Sequence, residues 1–238
     1  MRPKVVLFGD SITEECFVEG GWGSALANHF SRTADVVLRG YSGYNTRWAL
    51  KIVERAMDGI CAVGDQPLAL TVFFGANDAS LPDRSSGFQH VPLLEYQGNL
   101  RSIISYFRDR WPATKIVLIT PPPIDEDGRL RNPFEDNASD LPERTNDSAC
   151  AYAKACLAVA AECNVPVIDI CSKMQEYPDW QKSFLRDGLH LTAVGSRMLF
   201  EELVKKLRDL APSLETLPSD QPLYSDIDRK DALKTFEK

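Results

Sequence analysis

Ser11, Asp187 and His190 are the residues whose types and spacing could combine into nucleophilic catalysis. A serine hydroxyl is a weak nucleophile at neutral pH and needs a base to take its proton. An imidazole is that base once a carboxylate accepts from its other nitrogen and fixes the tautomer. Asp187 stands three residues before His190, and on a helical turn that spacing leaves two side chains on one face, about 5–6 Å apart at Cβ. The oxyanion of a tetrahedral acyl intermediate also needs donors aimed at it. The N–H of Gly43 can be approached with no Cβ in the way, Asn77 offers a carboxamide, and backbone N–H groups around Ser11 are unpaired if a helical turn starts there. Each residue has a plainer use. Ser11 or Asp187 could cap a turn, His190 could be a satisfied polar side chain, Gly43 a positive-φ turn residue and Asn77 part of an Asx-turn. The chemical reading is favoured by the order of the segments, each of which follows its own apolar run.

Those runs are Lys4–Phe8, Val36–Leu38, Leu68–Phe74, Lys115–Thr120 and Val165–Asp169. Short, near-continuous apolar stretches bounded by Gly, Pro or Asp suit strands covered on both faces of a parallel sheet. Between them, Leu93, Tyr96, Leu100, Ile103 and Phe107 form a helical stripe. The Ala-rich stretch Thr145 to Cys163 predicts a second helix capped by Thr145 or Asn146. Val194, Met198, Leu203 and Leu207 predict a third, capped by Thr192. Strand and helix alternate, so a doubly wound three-layer α/β domain is expected, with ligands beyond the carboxyl ends of the strands. Gly9-Asp10-Ser11, Gly40-Tyr41-Ser42-Gly43, Gly75-Ala76-Asn77-Asp78 and Asp187-Gly188-Leu189-His190 all fall there.

Two stretches depart from the alternation. Pro121–Pro142 holds five prolines and an Asp125-Glu126-Asp127 turn, and is expected to lack regular structure, as a lid, a substrate wall or a solvated loop. The tail beyond Ala211 is polar and could hang loose, pack across the domain or touch a partner. The domain is therefore drawn as residues 1–210, with 211–238 as a tail. Asn137-Ala138-Ser139 and Asn146-Asp147-Ser148 match glycosylation acceptors and are read as chance matches.

Composition bounds the class. With 44% hydrophobic and 26% charged residues over 238 positions, one globular core is expected. A net charge of −7 and the lack of a basic run give no footprint for nucleic acid or an anionic membrane. No apolar run approaches the ~20 residues of a membrane span, and no secretory segment is seen, so a cytoplasmic location is expected. The six cysteines are read as reduced and mostly buried thiols, with disulfides the alternative. His29, His90 and His190 stand too far apart to suggest a metal cluster; no metal or cofactor is expected. Among the remaining candidates, Trp48 is expected in the core, Asp10 and Asp78 as supports of their turns, and His29 as structural or surface.

Taken together, Gly9-Asp10-Ser11-Ile12, Gly43, Gly75-Ala76-Asn77-Asp78 and Asp187-Gly188-Leu189-His190 resemble the blocks of the SGNH hydrolases, or GDSL-type esterases and lipases. Leu-Phe-Gly-Asp-Ser-Ile-Thr from Leu7, Gly-Gly-Trp-Gly from Gly20 and Arg-Gly-Tyr-Ser-Gly-Tyr-Asn-Thr-Arg-Trp-Ala from Arg39 resemble the isoamyl acetate-hydrolysing esterase branch. The resemblance runs from about Lys4 to Leu210. It implies a five-stranded parallel sheet in the order 2-1-3-4-5. It also implies Ser11 as nucleophile, His190 as base and then acid, Asp187 as its orienting carboxylate, and an oxyanion hole from the N–H of Ser11, the N–H of Gly43 and the Asn77 amide. No Gly-x-Ser-x-Gly elbow occurs, which argues against an α/β-hydrolase. The expected reaction is hydrolysis of a small or medium carboxylic ester. Carbohydrate O-deacetylation, lysophospholipid or thioester hydrolysis, and a non-catalytic binding module on the same fold are the alternatives.

Overall fold

Successive side chains of a strand point to opposite faces, and here each face meets its own layer. In β1 (Lys4–Gly9), Val6 and Phe8 enter one hydrophobic cluster while Val5 and Leu7 enter the other. The same split divides β3 (Ala69–Phe73), with Leu70 and Val72 against Ala69 and Phe73, and β4 (Lys115–Ile119), with Ile116 and Leu118 against Val117 and Ile119. A computed structural model describes residues 2–133 and 141–237. With β2 (Asp35–Gly40) and β5 (Val167–Ile168), the strands form a five-stranded parallel sheet in the order β2-β1-β3-β4-β5. The expected fold class is therefore observed, with a last strand much shorter than the apolar run Val165–Asp169 suggests.

One layer contains α3 (Thr46–Ala56), α4 (Leu93–Arg110) and α6 (Asn146–Glu162). The other contains α1 (Ser11–Glu14), α2 (Trp22–His29), α7 (Ile170–Gln175), α8 (Trp180–Phe184) and α9 (Ala193–Leu210). Thr145 Oγ1 accepts from Ser148 N–H and Thr192 Oγ1 from Gly195 N–H, each satisfying an orphan donor of a helix first turn. Leu93 and Val194 stand outside the stripes assigned to them. Both are exposed, and the buried faces begin at Tyr96 and Gly195. No helix among the described residues is long and apolar enough to cross a membrane.

The Pro-rich stretch is not wholly irregular: α5 (Glu126–Arg131) lies inside it. Six residues between Asp125 and Asn132 suffice for a short helix because the prolines flank it. The remainder of that stretch from 134 to 140, with Asn137-Ala138-Ser139, lies outside the described residues. Asn146, the other glycosylation match, is the first residue of α6; its side chain accepts from Ile124 N–H and donates to Gln175. In the tail, Leu214 is buried, while Asp220 pairs with Arg2 and Arg32 and its N–H donates to the Arg32 carbonyl. All six cysteines are free, three buried and three half-buried, so burial is less general than the sequence suggests.

Candidate active site

Register brings the site together. Gly9 pairs with Gly40 on one side and Phe73 on the other, so the carboxyl ends of three adjacent strands are level. Ser11, Gly43 and Asn77 lie two, three and four residues beyond those level positions, on neighbouring loops. Asp10 caps α1, its Oδ1 accepting from Ile12 N–H at 3.0 Å. The N–H groups of Ser11 and Gly43 have no acceptor among the described residues. Gly43 adopts φ +77°, a region that L side chains rarely enter.

The fourth segment comes from the far end of the chain. Ser11 Oγ and His190 Nε2 are 2.9 Å apart across 179 residues of sequence. His190 Nδ1 lies 2.7 Å from Asp187 Oδ2. An ionised carboxylate only accepts, so Nδ1 carries the proton and Nε2 presents its lone pair to the serine. The spacing works through a turn, not the helical turn expected. Asp187 Oδ1 accepts from the N–H groups of Leu189 and His190, at 3.0 and 2.8 Å. Gly188 supplies φ +87° between them. An antiparallel bridge between Leu185 and Leu191, with Arg186 N–H donating to His190 O, closes the segment into a hairpin.

Electrostatics follow from burial. Burial alone would raise the Asp187 pKa, but the hydrogen bond and charge of His190 and the two backbone N–H groups outweigh it and hold the carboxyl well below the ordinary range. Asp10 is fully buried, and burial pushes its pKa up to about 7 against the Ile12 N–H bond. Asp78 is also pushed up to about 7 by burial, although it accepts from Thr46 N–H and Oγ1–H. Asp10 thus supports its own turn as expected, while Asp78 ties its loop to the first turn of α3. His29 is exposed, with edge contacts to Phe30 and Phe200.

Trp48 departs from its expected core position. It is half-buried, packed edgewise on Tyr44 and stacked on Phe88, itself 58% exposed. With Tyr41 these rings make an aromatic surface beside the Gly43 loop. The sequence reading also missed Arg129, Glu143, Arg144 and Gln89. Arg144 is buried, with Nη2 2.9 Å from Asn77 Oδ1 and 2.8 Å from Gln89 Oε1. Gln89 Nε2 donates to Gly43 O at 2.9 Å, and Asn77 Nδ2 donates to Tyr44 O at 2.9 Å. No local motif marks these residues. The only signal is positional: Arg129 lies inside the Pro121–Pro142 stretch, and Glu143 and Arg144 follow directly on its last proline.

A hydroxyl, an imidazole and a carboxylate in hydrogen-bonded series beside the tips of a parallel sheet fit the serine-hydrolase class of site. Residues 5–203 match the family model described as GDSL-like Lipase/Acylhydrolase, and the chain belongs to that family as a carboxylic ester hydrolase. A GDSL esterase/lipase of Arabidopsis thaliana is 60% identical, covering 100% of this chain and 99% of that protein. An isoamyl acetate-hydrolyzing esterase 1 homolog of Mus musculus is 42% identical over 95% of this chain and 88% of its own length. A lipase/acylhydrolase from Enterococcus faecalis superposes with a TM-score of 0.67 at 28% identity, covering 93% of this chain and 100% of that one.

Proposed function

We propose that the chain is a serine esterase acting on small or medium carboxylic esters of the acetate type, through an acyl-enzyme, with Ser11, His190 and Asp187 as its triad. The observation that carries this is the 2.9 Å contact between Ser11 Oγ and His190 Nε2. In the reading, Nε2 takes the Ser11 proton as Oγ attacks the ester carbonyl. The oxyanion is received by the N–H of Ser11, the N–H of Gly43 and the free Nδ2 proton of Asn77. The imidazolium, held by Asp187, then protonates the departing alkoxide. Water, deprotonated by His190, hydrolyses the acyl-serine in the reverse sequence of proton transfers. The acetate preference is drawn from the isoamyl acetate-hydrolyzing relatives. Residues 1–210 are proposed as the catalytic domain, since α9 closes at Leu210, with 211–238 as an appended tail.

The test is a p-nitrophenyl ester series of increasing acyl length with an organophosphonate probe. Activity falling steeply beyond short acyl chains, phosphonylation at Ser11, and no turnover by a folded Ser11→Ala variant are expected. Ordinary turnover by Ser11→Ala would refute the triad. A preference for acetylated oligosaccharides or lysophospholipids over simple acetates would replace the substrate.

A further inference from the structure

Two buried arginines from the β4–α6 connection reach opposite ends of the site. Arg144 Nη2 lies 2.9 Å from Asn77 Oδ1, its Nε 2.9 Å from Ala76 O and its Nη1 3.0 Å from Glu143 Oε1. Glu143 Oε1 also receives Arg129, at 2.7 Å from Nε and 2.6 Å from Nη2. Arg129 Nη1 in turn lies 3.1 Å from Asp187 O and 3.6 Å from Asp187 Oδ2. A continuous series of alternating charges therefore joins the turn that carries His190 to the carboxamide of Asn77. The side chains of Arg129, Glu143 and Arg144 are 5%, 1% and 2% exposed, so none is placed to meet substrate directly.

Resting on the esterase reading above, we propose that Arg144 is a positioning residue for the oxyanion donor: it fixes which way the Asn77 carboxamide faces and strengthens its N–H, with Glu143 and Arg129 anchoring it to the Asp187 turn. A carboxamide can flip by exchanging its oxygen and nitrogen, and only one of the two settings offers a proton to the site. With Oδ1 on the guanidinium and one Nδ2 proton on Tyr44 O, the second Nδ2 proton is the one left over. The flipped amide would set NH₂ against a cation and a carbonyl oxygen against the Tyr44 carbonyl, so both neighbours oppose it. A charged donor on Oδ1 also draws electrons from the amide and makes its N–H a better donor, as in any polarised hydrogen-bond series.

A purely structural arginine would harm the enzyme equally with or without Asn77; one acting through the amide would not. The experiment is a double-mutant cycle on p-nitrophenyl acetate with Arg144→Met, Asn77→Ala and the pair. All rates are normalised to the active sites titrated by phosphonate. Asn77→Ala is expected to lose ~10²–10³ in kcat, the scale of one oxyanion donor. Arg144→Met is expected to lose about 10–100-fold in kcat in the parent, with KM within threefold, and less than threefold in the Asn77→Ala background. A loss of threefold or more in that background, or a loss below threefold in the parent, overturns the assignment. If Arg144→Met does not fold, Arg144→Lys takes its place in the same cycle. It keeps the charge but cannot serve four acceptors with fork geometry. Failure of the parent protein to be phosphonylated at Ser11 would instead overturn the esterase reading beneath it.

Discussion

Replacing Asp187 by Asn changes one atom type and should disable the base. Asp187 Oδ1 holds the N–H groups of Leu189 and His190 while Oδ2 faces His190 Nδ1. An asparagine can keep both backbone bonds with its oxygen, which turns its NH₂ toward Nδ1. Rotating the amide to restore an acceptor there would give up two hydrogen bonds worth about 1 kcal/mol each, leaving roughly three per cent of molecules so arranged. In the rest, Nδ1 must accept. The imidazole proton then moves to Nε2, which donates toward Ser11 where it should receive. That population alone costs about 30-fold in kcat. The neutral amide also fails to stabilise the imidazolium, so a total loss approaching the order of 10⁴ is expected, the scale of this exchange in a Ser-His-Asp site, with KM within about threefold because substrate contacts are untouched. The assay is steady-state hydrolysis of p-nitrophenyl acetate near pH 7.5, on protein whose circular dichroism matches the parent. A folded Asp187→Asn enzyme within tenfold of the parent kcat would show that the tautomer argument is wrong.

Gly188→Ala should damage both fold and activity. Beyond φ +87°, its new Cβ would lie 2.4 Å from Asp125 O and 2.6 Å from Arg129 N. A Tm drop of several degrees and loss of most esterase activity are expected; a variant with parent values in both would refute it. Gly43→Ala meets only Gln89 Nε2, at 3.3 Å, but must hold φ +77°. A cost of about 1–2 kcal/mol follows, read as a Tm lowered by roughly 2–8 °C, and an unchanged melt would count against it. Asp10 and Asp78, both near pKa 7, keep protons in the folded chain that the unfolded chain releases above about pH 4. Their contribution is full below pH 4 and is lost as pH rises through 7. Asp10→Asn should therefore gain on the parent in thermal melts between pH 5 and pH 8, and a difference that stays flat or shrinks would refute the reasoning.

Ser11, Gly43 and Asn77 could be grouped from the sequence because each follows an apolar run and parallel register leaves those strand ends level. Asp187 and His190 could be paired by spacing, but their hairpin lies beyond α7 and α8, where no strand end predicts it. Strand alternation was legible for the same reason, since Val5 to Phe8 must be apolar on both faces. What escaped depends on contacts distant in sequence. Arg129 and Arg144 look like surface charges until Glu143, Asp187 and Asn77 surround them. The turn at Asp187 looks helical by spacing, and only the positive φ of Gly188 makes it otherwise. Trp48 counts as a core residue on average composition, yet Tyr44 and Phe88 hold it at the surface. β5 is shorter than its apolar run because Pro166 cannot donate to a ladder.

The closed hairpin from Leu185 to Leu191 carries imidazole and carboxylate as one cartridge, so the working distance of the centre reduces to a single gap between that cartridge and the tip of β1. Heat or denaturant that widens the gap would silence the enzyme while the pair inside the cartridge stays matched. Inactivation that precedes the loss of helical signal, and reverses at once on cooling, is the behaviour this mechanical division entails.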